Sequence, residues 1–115
     1  MIRSTLSLVL LLTLGGCFAP NKPSLTSDDP SLKIPAIRQS ALAHDEGAIK
    51  QLVKDLDSDD PAVRFYAIHG LSEITGNTFD YRYYDDEIER KPALKRWQEW
   101  LMQRGTKPAA TERSS

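Results

Sequence analysis

The chain has 115 residues and a formal net charge of −1 at pH 7. Proteins that bind nucleic acid present clustered basic surface, whereas the 15 basic residues of this chain are interleaved with 16 acidic ones. This balance argues against a nucleic-acid partner. The sequence contains one cysteine, which excludes a disulfide within the chain.

The first 16 residues have the pattern of an export signal. Arg3 precedes the apolar stretch 6–14, which is too short to span a bilayer as a helix. Two glycines then leave room for a peptidase to cut directly before Cys17. We therefore predict that residues 1–16 are a signal peptide and that the mature chain begins at Cys17.

The run Leu14-Gly-Gly-Cys17 has the form of a lipobox, and the sequence resembles a bacterial lipoprotein precursor. The resemblance implies lipidation of Cys17, whose thiolate takes a diacylglyceryl group, and anchoring through acyl chains such as palmitate. Phe18 stands where an aspartate would imply the inner membrane, so the resemblance favours the outer membrane, facing the periplasm. The alternative is ordinary cleavage after Ala19, which would release a soluble protein.

Polar segments surround one small domain. Residues 17–27 are rich in proline, serine and other polar residues, which predicts a flexible tether that lifts the domain off the membrane. Residues 105–115 have the same character and predict a disordered tail. The domain is then residues 28–104, a size at which folding buries only about 60% of the surface of the unfolded chain.

Apolar periodicity predicts that this domain is all-α, with four helices. The first covers about residues 32–43, with Asp29 as a helix-capping residue ahead of it and Pro35 in its first turn. The second carries apolar residues at positions i, i+3, i+4 and i+7 within residues 49–56.

The third and fourth helices have clear start or stop signals. Asp60 is predicted to cap the third helix, and Gly76 to end it. The fourth helix has Pro92 in its first turn and carries the predicted core aromatics Trp97 and Trp100 on one face.

An internal repeat relates the first and third helices, because residues 29–37 match residues 60–68 with a displacement of 31. The Asp-Pro-x-Val-Arg start of the second copy resembles the second helix of a HEAT repeat, with residues 49–56 as the first. The resemblance implies two HEAT-like hairpins in a short right-handed α-solenoid, closed by an aromatic loop and the last helix. It also implies that Arg64 points outward toward an acid of a neighbouring unit. Tetratricopeptide units, with a period near 34, are the alternative.

No motif in the sequence indicates catalysis. His44 and His69 are its only histidines, and metalloprotease, phosphate-loop and nucleophile-elbow motifs are missing. The aspartate pairs at 28–29, 59–60 and 85–86 lack the ligand spacing of a calcium loop, and we interpret them as helix caps or solvated charges. We therefore predict no enzymatic activity, no cofactor and no metal site.

Residues 79–86 have an unusual composition, and their first six residues are the only candidate strand. Three tyrosines and an arginine are of the types enriched at binding hot spots. The alternative is that these aromatic residues close the core over the tryptophans of the last helix. The candidate partner-binding residues are Tyr81, Arg82, Tyr83 and Tyr84.

These patterns together predict a membrane-anchored lipoprotein whose helical domain is a non-catalytic interaction module. Its partners would be the membrane, through the acyl chains on Cys17, and a protein of the cell envelope. The alternative is a structural lipoprotein that packs into a larger envelope assembly or self-associates.

Overall fold

A computed structural model describes residues 22–106 of the chain. The predicted signal peptide, the lipidation site Cys17 and residues 107–115 of the predicted tail lie outside the described residues. The described part is all-α, which confirms the all-α prediction, and it contains no strand at residues 79–84 or elsewhere. Its helices are α1 (Pro30–Leu42), α2 (Ile49–Asp55), α3 (Pro61–Thr75) and α4 (Glu87–Thr106), with a short 3-10 helix (Glu46–Ala48) before α2.

Side-chain caps start α1 and α3, as the sequence indicated. The Asp29 carboxylate accepts a hydrogen bond from the Ser31 N–H at 2.9 Å, and the Asp60 carboxylate accepts one from the Ala62 N–H at 2.8 Å. A cap of this kind stabilises a helix by about 0.5–2 kcal/mol. At the other end of α3, Gly76 adopts the left-handed conformation, with φ of 76°, that glycine accommodates without strain.

The internal repeat also includes the turn before each of these two helices. The sequence Ser-Asp-Asp-Pro occurs at residues 27–30 and again at 58–61. In both copies the serine Oγ accepts a hydrogen bond from the N–H of the second aspartate, at 3.0 Å and 3.1 Å. The two helices therefore begin with the same local structure.

The first-turn positions predicted for Pro35 and Pro92 are wrong, because each proline is the sixth residue of its helix. A proline there cannot donate to the carbonyl four residues earlier, and in both helices that earlier residue is exposed to solvent. The fourth helix starts early because the Asp86 carboxylate caps the Glu89 N–H at 2.8 Å. It also continues to Thr106, so the first two residues of the predicted tail are helical.

The core forms around α3, which packs against α1 and α2, while α2 also packs against α4. Gly70 lets α3 approach α1 and α2 closely, because a Cβ atom at this position would lie 3.3 Å from Leu52 of α2 and 3.4 Å from Ile37 of α1. Trp97 is fully buried, whereas Trp100 is half-buried and packs edge-on against it, with ring centroids 5.5 Å apart. The largest fully buried side chains are Trp97, Ile37, Leu52, Leu56 and Leu71.

The helices define two ends of the domain. At the capped end, Asp29, Asp60 and Asp86 cap the starts of α1, α3 and α4. At the far end, Arg104 near the end of α4 forms an ion pair with Glu46, just before α2. Three helices therefore run from the capped end to the far end, and α2 runs in the opposite direction.

Arg64 does not point outward as the HEAT resemblance implied, and its side chain is 8% exposed. Its Nε donates to the Tyr83 carbonyl at 3.0 Å, and its Nη1 donates to the Ser58 carbonyl at 2.7 Å. The guanidinium thus joins the start of α3 to a loop almost twenty residues later in the sequence. A sequence pattern within one helix carries no information about such a contact.

Part of the predicted tether belongs to the domain. The Ser24 N–H donates to the Leu32 carbonyl at 3.0 Å, and Leu25 packs against the core. Lys33, the repeat equivalent of Arg64, donates from Nζ to the Leu25 carbonyl at 2.7 Å. The segment that separates Cys17 from the domain is therefore shorter than the composition predicted.

Two ion pairs between described side chains differ in burial, so a comparison of the two tests how burial changes the contribution of an ion pair to stability. Lys33 and Asp55 lie 2.7 Å apart with side chains 10% and 6% exposed, whereas Glu46 and Arg104 are 68% and 42% exposed. We expect Asp55→Asn to lower the free energy of unfolding by about 3–5 kcal/mol, because it leaves a buried ammonium without its counter-ion. The control Glu46→Gln should cost about 1 kcal/mol or less. Urea unfolding of both variants checks this, and equal losses would contradict it.

Candidate functional site

The loop at residues 77–86 has no regular secondary structure and runs the length of the domain. It leaves α3 at the far end, where the Phe79 ring meets the Trp97 ring edge-on at 4.8 Å. It reaches the capped end at Asp86, the cap of α4. This path carries the aromatic segment along α2, α3 and α4 and places its side chains partly in the core and partly on the surface.

Side chains of α3 and α4 bind the backbone of this loop. Two turns within the loop pair the Thr78 and Arg82 carbonyls with the Tyr81 and Asp85 N–H groups. Helix side chains donate to further carbonyls of the loop, and a buried carbonyl needs such a donor. Hydrogen bonds from charged donors contribute about 1.5–3 kcal/mol each. The donors and their acceptor carbonyls are Trp97 Nε1 to Thr78 at 3.1 Å, Arg96 to Phe79 at 2.9 Å, Arg64 to Tyr83 at 3.0 Å, and Arg90 to Asp85 at 2.8 Å.

These hydrogen bonds hold a loop whose backbone is strained. Phe79 and Asp80 have φ values of 52° and 61°, in the left-handed region that residues with a Cβ rarely adopt. Such residues cost about 1–3 kcal/mol each and persist only where the surroundings fix them. Here the Phe79 ring packs on the core, and its carbonyl accepts from Arg96.

Two buried arginines contribute to this arrangement without a counter-ion. Arg64 and Arg90 are 8% and 7% exposed, and neither forms an ion pair with a described carboxylate. Buried charges are costly unless they are hydrogen-bonded, so the loop carbonyls and the guanidiniums stabilise each other. The Nε of Arg90 is buried without a partner among the described atoms.

Tyr81 is a core residue, so it does not belong to an exposed partner surface. It is 6% exposed, and its hydroxyl donates to the Leu56 carbonyl at 2.6 Å. Burial raises the pKa of Tyr81 from 10.0 to about 12, although the positive charges of Arg90 and Arg64 act to lower it. The other candidate residues differ: Arg82 is exposed, Tyr83 is half-buried and Tyr84 is 68% exposed.

Four aromatic rings form a continuous surface feature that we call the aromatic ridge, consisting of Tyr66, Phe65, Tyr83 and Tyr84. Phe65 contacts Tyr66 at 5.1 Å and Tyr83 at 5.0 Å, and Tyr83 contacts Tyr84 at 5.3 Å. All three contacts are edge-to-face, the geometry that aromatic pairs favour. The structure therefore joins two of the predicted partner-binding residues to two rings of α3.

Phe65 and Tyr66 were not predicted as binding residues, although their positions in α3 carry a signal. Phe65 lies on the face of α3 opposite the buried positions Val63, Ala67 and Leu71, and Tyr66 lies at the edge of the buried face, where it packs partly against the core. Large aromatic residues on a face that the periodicity assigns to solvent are candidates for a binding surface. Beside the ridge, a groove of about 340 Å³ separates α1 from α3.

The structure places both histidines at the surface and one aspartate of each predicted pair at the start of a helix. His69 is exposed and its ring lies 4.4 Å from that of Phe65, and His44 is exposed in the turn after α1. Within residues 22–106, no three histidine, cysteine or acidic side chains are placed to hold a metal ion. One aspartate of each predicted pair caps a helix: Asp29, Asp60 and Asp86.

No protein-family model, curated protein or solved structure matches the chain.

The raised pKa of Tyr81 predicts a loss of stability at high pH. Below pH 10 the phenol is protonated in both the folded and unfolded states, and its hydrogen bond contributes fully. Between pH 10 and about 12 the unfolded state loses the proton first, so the free energy of unfolding falls as pH rises. Tyr81→Phe should remove this component of the fall and cost about 0.5–1.5 kcal/mol at neutral pH.

Urea unfolding across this pH range measures both effects. Tyr84→Phe is the matched control, because it removes the hydroxyl of a tyrosine whose side chain is mostly exposed. If Tyr81→Phe keeps the pH dependence of the wild type, the hydroxyl is not buried against Leu56.

Proposed function

We propose that this chain is a lipid-anchored, non-catalytic interaction module of the bacterial cell envelope, and that it binds a protein partner through the aromatic ridge. The observation that carries the proposal is the ridge itself: four rings in continuous contact, half-buried or exposed, and partly built on an irregular loop that helix side chains hold.

The chemistry of the ridge supports binding to a protein. Tyrosine supplies a large contact area, loses little side-chain entropy on binding and is enriched among hot-spot residues. Arg64 holds the Tyr83 carbonyl and therefore orders the loop before any partner arrives. A surface that is already ordered loses less entropy on association, which favours affinity.

The helix arrangement supports a HEAT-like interpretation of the domain. α1 and α3 each start at the proline of a Ser-Asp-Asp-Pro sequence, pack together and run in the same direction, as the equivalent helices of stacked repeats do. We propose that α2 and α3 form one unit of a short right-handed solenoid. In this proposal α1 represents the preceding unit, covered by residues 24–27, and the loop with α4 closes the other side.

The lipobox supports the anchor. Among residues 22–106, no helix has the length and apolarity needed to cross a membrane. We propose that acyl chains on Cys17, palmitate among them, hold the protein at the outer membrane with its domain in the periplasm. Phe18 after the cysteine supports the outer rather than the inner membrane.

If Cys17 carries the lipid anchor, the variant Cys17→Ser should not be lipidated when it is expressed in a bacterium. The serine hydroxyl cannot replace the thiolate as the nucleophile that accepts the diacylglyceryl group, so labelled fatty acid should not be incorporated. The precursor should persist or be cut at another position, which the mass of the protein reports. A wild-type chain that incorporates no fatty acid would refute the anchor.

If the aromatic ridge is the binding surface, substitutions in the ridge should weaken binding without unfolding the domain, whereas substitutions in the core should lower its stability. Tyr84→Ala and Tyr66→Ala should weaken capture of the partner by at least several-fold and leave the fold intact, because hot-spot residues contribute mainly in the complex. Trp97→Ala should cost about 3–5 kcal/mol of stability, because it removes a fully buried aromatic ring. Ile88→Ala is the control, since Ile88 is 75% exposed but lies outside the ridge.

Crosslinking in cells, followed by identification of the bound proteins, measures capture, and thermal unfolding measures the fold. Capture that is equal for the ridge variants, the control and the wild type would remove the ridge as the binding surface. A crosslinked species that contains two copies of this chain would support the self-associating alternative.

A further inference from the structure

We infer that the segment of the partner that binds the aromatic ridge is basic, and that a lysine or arginine of this segment contacts the Tyr84 ring and the carboxylates near it. This inference rests on the proposed function and specifies the chemistry of the partner. Three observations support it: the exposure of the Tyr84 ring, the acidic residues near that ring that form no ion pair, and the balanced charge at the other end of the ridge.

Tyr84 is the most exposed ring of the aromatic ridge. It is 68% exposed, whereas the rings of Phe65, Tyr66 and Tyr83 are half-buried. Tyr84 meets Tyr83 edge-to-face at 5.3 Å, and most of its own surface remains open to a partner. The face of an aromatic ring attracts a cation, and arginine and lysine are the side chains that make this contact.

The turn before α3 lies beside the ridge. One guanidinium, that of Arg64, donates to the Ser58 carbonyl at 2.7 Å and to the Tyr83 carbonyl at 3.0 Å. Because the two carbonyls bind the same side chain, the turn at residues 57–60 and the loop at Tyr83 are neighbours. Asp59 follows Ser58 in this turn and is exposed.

Three exposed acidic residues therefore lie near Tyr84. Asp59 belongs to the turn before α3, and Asp86 and Glu87 follow Tyr84 along the chain. None of the three forms an ion pair with a described cation. Complementary charge speeds the encounter of two proteins and excludes partners of the wrong charge. A cation of the partner would therefore be attracted by the ring and by these carboxylates together.

The cations of this region do not replace that partner. The guanidiniums of Arg64 and Arg90 are buried and donate to loop carbonyls. Arg82 is exposed, but it lines a cleft with Pro92 of α4, whereas the neighbouring Tyr83 packs against α3. The exposed carboxylates near Tyr84 thus remain available to a basic segment.

The other end of the ridge carries balanced charge. The groove beside Tyr66 is lined by one basic residue, Arg38 of α1, one acidic residue, Glu73 of α3, and His69. Because the charges of Arg38 and Glu73 oppose each other, this end does not favour a partner of either sign. Selection by charge therefore takes place at the Tyr84 end.

The test uses the full chain in a nonionic detergent and two short peptides. One peptide contains several lysines among glycine, serine and leucine, and the other has glutamate in place of every lysine. Nuclear magnetic resonance signals of the ridge amides report binding, including weak binding. We expect the lysine peptide to shift the signals of residues 83–84 and the glutamate peptide to leave them in place. Added sodium chloride should weaken the binding, because salt screens charges at the surface.

Matched substitutions separate the charges from the ring. Asp59→Asn and Glu87→Gln each remove a charge and keep the size of the side chain, and Tyr84→Leu keeps an apolar side chain but removes the ring face. Each should weaken binding of the lysine peptide by about two- to fivefold. Asp86 stays unchanged because it caps α4. Glu99→Gln is the control and should bind as the wild type does, since Glu99 is an exposed acid of α4 outside the ridge.

Equal binding of the two peptides, no binding of either, or an equal loss in Glu99→Gln would overturn the basic character of the partner. Crosslinking in cells distinguishes this failure from a failure of the ridge. If Tyr84→Ala and Tyr66→Ala reduce capture while Asp59→Asn and Glu87→Gln do not, the ridge binds a partner that is not basic. If none of the four variants reduces capture, the ridge and the inference both fail.

Discussion

Two buried cations, Lys33 and Arg64, hold irregular segments of the chain against the helices. They occupy equivalent positions of the internal repeat, and each donates hydrogen bonds to a backbone carbonyl of a segment outside its own helix. Because a buried cation is costly unless its donors are paired, the helices and these segments depend on each other. A small domain thereby extends its core over residues 24–27 and 77–86, which have no helical structure.

Features that depend on neighbouring residues could be predicted from the sequence. The apolar periodicity of α2 and α3, the caps Asp29 and Asp60, and the stop at Gly76 are all set within one or two turns of chain. Features that depend on contacts between residues far apart in the sequence could not be predicted from it. The buried position of Arg64 requires carbonyl acceptors that lie 6 and 19 residues away in sequence, and neither is marked by the pattern of its helix.

The same difference between local features and features set by distant contacts applies to the candidate site. The composition of residues 79–86 identified an aromatic segment, but it did not indicate which rings are exposed. Tyr81 and Tyr84 look alike in sequence, and they differ because the Leu56 carbonyl accepts the Tyr81 hydroxyl inside the core. The aromatic ridge joins this segment to α3. This arrangement depends on the path of the loop, and no local sequence pattern indicates it. Arg64 connects the two parts, since it extends from α3 to the Tyr83 carbonyl.

We infer that buried arginine side chains fix the aromatic loop in one conformation. Backbone order parameters of the amides of residues 81–85, measured by nuclear magnetic resonance relaxation, test it most directly. We expect values near those of α3, about 0.85, in the wild type. We expect a clear decrease in Arg64→Met, which keeps the aliphatic part of the side chain but removes its donors. Values below about 0.6 in the wild type, or no change in the variant, would contradict it.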